Sequence, residues 1–392
     1  MKGDKFMKVL SSISVVTIAV VVSLLGFSQL SKAIQITQIS PNSGSTTGGE
    51  TVTINGDFRP AAPITMQAMT DGYCASLPVY DGNNSAAVIT LNDPRGDGQQ
   101  YQVAKLADGN CWMLNNLKLG STTGTTSLTP TDTNIKTDRT LPQVDTSASV
   151  YFDSPRIYSS APGNSNDITS NTFYGYYYNW CVAGAADPSA CTSSVIQPAD
   201  ITEDICPAGW HLPSSGDMKK LDVAFGGTGA SSNVGPSQSS WSFGGAFKGV
   251  FAGYYDTMHQ SYGTLAQYLT SEPNPANSDS VWLAILDNTS IFLDYMDFRE
   301  YGRTIRCVHQ QVSNEAPNVT LDGVPAVVTA WDNGSVTVTT PPHAAGRVDV
   351  VVTRGSESFT LANGYEYVDP NAAPPVTPTL PVVPSAPNTG RG

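Results

Sequence analysis

The residues Cys206-Pro207-Ala208-Gly209-Trp210-His211-Leu212-Pro213 decide how this chain is read. A cysteine, two prolines, a glycine and a tryptophan so close together describe a fixed turn. The prolines lock φ and exclude helix there. Trp210 is large and apolar and calls for burial. A helix start follows directly. Ser214 suits the N-cap and Asp217 the third helical position, a capping box with Asp in place of the usual Glu. Met218, Leu221 and Phe225 then recur at i, i+3 and i+7 and form one apolar stripe. Gly226-Gly227 ends it. The stretch therefore predicts a disulfide-capable knot feeding one short amphipathic helix.

Two further stretches match it in style. Upstream stands Asp108-Gly109-Asn110-Cys111-Trp112-Met113, and downstream Gly302-Arg303-Thr304-Ile305-Arg306-Cys307-Val308. Taken in order, DGNCWMLNNLKLG, YYYNW, ICPAGWHLP, VFAGYY, YLTSE and GRTIRCV resemble a FISUMP (Fibrobacter major paralogous) domain over residues 66–312. The resemblance implies a C-type-lectin-like α+β fold, rich in loops, on an exported bacterial surface protein. It implies no reaction. It also implies a bond between Cys206 and Cys307. Closeness in sequence favours a local staple between Cys181 and Cys191, which leaves Cys74 and Cys111. Six cysteines allow 15 connectivities, so the pairing stays open at this point.

The chain has 392 residues, enough for two domains with tails. Charged residues make up only 14%, and Gly, Ser, Thr, Asn and Pro fill the gap, which reads as β-rich and loop-rich. A net charge of −13 argues against nucleic acid and against anionic polymers as partners. No cysteine pair has the C-x-x-C spacing of a zinc or redox site. Lys2, Lys5 and Lys8 precede an apolar run from Val9 to Phe27, and Ser31-Lys32-Ala33 offers small residues for a signal peptidase. Residues 1–33 read as a signal peptide cleaved after Ala33 or as an uncleaved anchor, the one route to a membrane. Both readings put the rest outside the cytoplasm, where disulfides persist.

Residues 34–58 read as two short strands around a glycine-rich turn, and resemble the opening of an IPT/TIG domain, an immunoglobulin-like sandwich. Two strands cannot bury a core alone. The complementary pattern returns in 314–368, where Val348, Val350 and Val352 alternate and Tyr365-Glu366-Tyr367 resembles the closing strand of that family. The fold class expected is thus mainly β: a sandwich split in sequence, with a smaller α+β domain inserted. Ala87–Leu91 and Tyr101–Ala104 read as paired strands. Residues 120–170 and 226–240 read as loops. Residues 369–392 form a proline-rich spacer whose Ala386-Pro387-Asn388-Thr389-Gly390 resembles a sortase signal without the leucine of its first position.

No catalytic signature appears, and no two of His211, His259, His309 and His343 share a metal-ligand spacing, so no catalytic residue, metal or cofactor is expected. Glu272-Pro273-Asn274 matches the calcium tripeptide of mannose-binding lectins, but Trp282 is followed by Leu283-Ala284 and the partner tripeptide is missing. Tyr174, Tyr176, Tyr178 and Trp180 alternate and read as a core face or as a ligand platform. Arg299, Glu300, Arg303 and Arg306 read as a solvated or salt-bridged edge. Tyr254, Tyr255, Glu272 and Trp282 are the candidate ligand contacts. The function expected is binding or adhesion to surface glycan or protein. The rivals are a structural surface component and an enzyme acting on surface polymer.

Overall fold

A computed structural model describes residues 35–58, 62–145, 154–159, 174–187, 191, 200–230, 232–233, 235–277, 279–310, 316–332, 334–354 and 357–372. Residues 1–34, the proline-rich stretch after residue 372, Phe173 and part of each linker lie outside them. The chain forms two units, one spanning Arg59–Glu315 and one built from Ile34–Phe58 together with the residues from Ala316 onward. The structure is mostly strand.

The second unit is a two-sheet sandwich. Its first sheet runs Gln35–Ser40, Thr51–Asp57, Ser335–Thr339, Val327–Trp331. The second runs Val324–Pro325, Asn318–Leu321, Gly346–Arg354, Glu357–Val368, Ser43–Ser45. Period-2 alternation sends Val52, Ile54, Val336, Val338, Val348, Val350 and Val352 into one core with Tyr365 and Tyr367. The short Ser43–Ser45 strand pairs in parallel with the last strand, so the first stretch contributes to both sheets. Glu50 fixes that crossing: its carboxylate accepts from the Ser45 N–H at 2.6 Å and from the Thr340 hydroxyl at 3.0 Å. Both inner ends of this unit come to one strand end. Arg354 donates to the Phe58 carbonyl at 2.9 Å, and Asn318 pairs with the adjacent Thr353.

The first unit holds two four-stranded sheets. One runs Val308–His309, Cys111–Met113, Gln99–Lys105, Val88–Asp93. The other runs Ser232–Asn233, Ser290–Phe298, Ser280–Asp287, Leu265–Pro273. The Ser215–Ala224 helix begins with the capping box that its sequence specifies: the Ser214 hydroxyl accepts from the Asp217 N–H, and the Asp217 carboxylate accepts from the Ser214 N–H. Its Met218 and Leu221 are buried in one cluster with Tyr268, Leu286 and Leu293 of the second sheet. Residues 120–170 are not one loop. Thr126–Leu128 pairs with Arg139–Leu141, and Ile157–Tyr158 pairs with Tyr177–Tyr178. The Gly/Ser stretch after the helix likewise holds a turn of helix at Gln238–Trp241, where Trp241 is buried and donates to Asp222 at 2.9 Å.

The organising turn joins the two ends of this unit. Gly209 sits at φ +82°, a conformation that favours glycine. The buried Trp210 donates from Nε1 to the Met66 carbonyl at 2.7 Å, while its ring lies 5.4 Å from that of His309. His211 exchanges backbone hydrogen bonds with Val308 at 2.9 and 3.0 Å. Disulfides join Cys206 to Cys307, Cys74 to Cys111 and Cys181 to Cys191, leaving no free thiol.

The capping box carries a pH prediction. Burial alone would raise the Asp217 carboxyl, but hydrogen bonds from His211 and Ser214 outweigh it and lower the pKa from 3.8 to about 2. A carboxyl with a depressed folded-state pKa stabilises above its unfolded value and loses that contribution as pH falls through the folded one. Stability of the first unit is expected to fall by about 1–2 kcal/mol between roughly pH 4 and 2 through this group. Asp217→Asn flattens that slope in acid-denaturation curves. An unchanged slope contradicts the assignment.

Candidate functional site

Adjacent residues on a strand face opposite sides, and Tyr254-Tyr255 shows it. Tyr255 is buried and stacks on Tyr158, with ring centres 4.3 Å apart and planes 18° apart. It is a core residue, which corrects its standing as a ligand contact. Tyr254 is half-buried and points the other way, toward Arg303 and Tyr301. The upstream aromatic stripe is core as well: Tyr176, Tyr178 and Trp180 are all buried.

The charged cluster near the last strand is not a solvated edge. Arg299, Glu300, Arg303 and Arg306 are all buried. Arg303 pairs with Asp297, and its guanidinium lies 4.8 Å from the Tyr254 ring centre and 5.2 Å from that of Tyr301. Burial pulls the Arg303 pKa below its ordinary value, opposed by Asp297. Arg306 has backbone and amide partners instead of a carboxylate. It donates to Asn116 Oδ1 at 3.0 Å, to the Lys248 carbonyl at 2.6 Å and to the Phe247 carbonyl. It also lies over the rings of Phe247 and Tyr268.

Beyond Leu293 the Ser290–Phe298 strand leaves the core, and Tyr295, Met296 and Phe298 are about half exposed at 45–50%. Met296 pairs across the sheet with Trp282, which brings that candidate onto the same face. Phe298 contacts Tyr301 edge-on at 5.5 Å, and Tyr301 stacks with Tyr254 at 6.2 Å. Phe298, Tyr301 and Tyr254 thus form a row of rings whose last two members lie over Arg303. At its Phe298 end opens a cleft of about 380 Å³, lined by Asn274, Ala276, Asn277, Ser280, Met296, Asp297 and Phe298.

Glu272 and Asn274 serve the fold. The Glu272 carboxylate accepts from the Ser215 N–H at 3.0 Å, at the start of the helix. Asn274 is buried, accepts from the Ala276 N–H at 2.9 Å, and donates toward Met296 Sδ at 2.8 Å. Its amide thereby shapes the cleft. Among the described residues no group of three or more His, Cys, Asp or Glu side chains is placed to hold a metal ion. The cleft and the stacked Arg303 escaped sequence reading. The one sequence signal was the unusual run of Tyr295, Met296 and Phe298, where a half-buried strand would alternate.

Two family models match the chain: the Fibrobacter succinogenes major domain over residues 107–309 and the IPT/TIG domain over residues 298–367. The chain belongs to the Fibrobacter succinogenes major domain family. The match takes in the organising turn, the ring row and the whole cleft. The IPT/TIG match covers the later strands of the sandwich, and Gln35–Ser40 and Thr51–Asp57 precede it. No curated protein and no solved structure matches the chain.

Proposed function

We propose that this is an exported surface protein in which an IPT/TIG sandwich carries an inserted Fibrobacter major domain as a recognition module. The observation that carries the reading is the open cleft beside the Phe298–Tyr301–Tyr254 row. Half-exposed rings next to the exposed Asn277 amide suit a ligand that presents both apolar and polar surface. Three disulfides suit an oxidising compartment outside the cytoplasm. The sandwich serves to display the module.

The test separates contact from packing. Phe298→Ala removes an exposed ring, so the protein is expected to keep its thermal stability and lose attachment to its target on a panel of polysaccharide- and protein-coated beads. Tyr255→Ala removes a buried ring and is expected to cost about 3–5 kcal/mol of stability. Attachment that survives Phe298→Ala removes the cleft from the function.

A further inference from the structure

With the cleft taken as the recognition site, a premise shared with the proposed function, its lining narrows the chemistry of the occupant. Met296 and Phe298 supply apolar surface, both about half exposed. Of the polar lining residues, Asn274 and Ser280 are buried, the Asn274 amide donating to the Ser280 hydroxyl oxygen at 3.5 Å, while Asn277 is exposed with its Oδ1 accepting from the Asp279 N–H at 3.0 Å. The one charged lining residue is Asp297, and its charge is already matched by Arg303. Arg303 in turn is wholly buried under Tyr254 and Tyr301, so it offers no counter-charge to a ligand.

Each ligand class meets this lining differently. An anion entering the cleft would lose hydration and find no cation among the lining residues, against a chain of net charge −13. A cation would find a carboxylate already engaged by a guanidinium. A purely apolar segment would cover the Asn277 amide without replacing its hydrogen bonds with water. A pyranose chair, with an apolar face of C–H groups and neutral hydroxyls at its rim, meets all these conditions. We infer that the cleft takes an uncharged stretch of glycan, with a sugar face laid on Phe298 and hydroxyls turned to the exposed amide of Asn277.

Titration calorimetry on the full, oxidised chain tests this. The probes are neutral cello- and manno-oligosaccharides and, as the acidic counterpart, oligogalacturonate. Neutral sugars are expected to bind with little dependence on salt, and oligogalacturonate not to bind. Phe298→Ala, and Ala276→Trp, which fills the cleft from an exposed position, are each expected to weaken binding at least tenfold. Tighter binding of oligogalacturonate, relieved by salt, overturns the inference. So does sugar binding that neither variant changes. If no sugar binds while Phe298→Ala still abolishes bead attachment, the glycan inference falls and the recognition reading stands. If bead attachment ignores Phe298→Ala, the recognition reading itself falls.

Discussion

Arg306→Ala is expected to destabilise the first unit by about 3–5 kcal/mol. The wild-type side chain is fully buried and satisfies three acceptors, Asn116 Oδ1 and the carbonyls of Phe247 and Lys248. Alanine leaves all three in a site with no room for bulk water and opens a void between Phe247 and Tyr268. Arg306→Lys is expected to recover little, because an ammonium cannot reproduce a planar fork that also stacks on rings. Urea unfolding under oxidising conditions measures both. A loss below about 1 kcal/mol for the alanine variant would mean that the guanidinium is solvated.

The second large effect lies in the long disulfide. Replacing Cys206 and Cys307 together by alanine is expected to cost about 4–5 kcal/mol, since the bond closes a separation of 101 residues. The same change at Cys181 and Cys191, separated by 10 residues, is expected to cost about 2.5–3 kcal/mol in the same chain-entropy model. Denaturant midpoints of the two double variants give the order directly. A larger loss from the short bridge would place the constraint in local packing at Cys181 instead of chain entropy.

Local rules were legible in the sequence. The capping box at Ser214 and Asp217 needs only residues three apart, and it forms as written. Val348, Val350 and Val352 declare their buried face by alternation alone. Long-range satisfaction was not legible. Arg306 looks like an edge residue because its side-chain hydrogen-bond partner, Asn116, stands 190 positions away. Tyr254 and Tyr255 have the same side chain and neighbouring positions, and only the strand's orientation against Tyr158 separates contact from core. The short strands inside 126–178 carry too few residues for a periodic signal.

The arrangement proposed for the chain, one sandwich made from both of its stretches around a separate domain, has a direct test. Thr51–Asp57 lies between Gln35–Ser40 and Ser335–Thr339, so neither stretch completes its sheet alone. Phe58 and Asn318 both meet the end of the Gly346–Arg354 strand, at Arg354 and Thr353. Within the other unit, Met66 and His309 both meet Trp210. A splice that joins Phe58 to Asn318 through a short linker is therefore expected to be soluble and to unfold in one cooperative transition. The excised residues 62–310 are expected to fold separately under oxidising conditions, with no titratable thiol. An unfolded splice, with residues 314–368 folding on their own, would contradict the insertion.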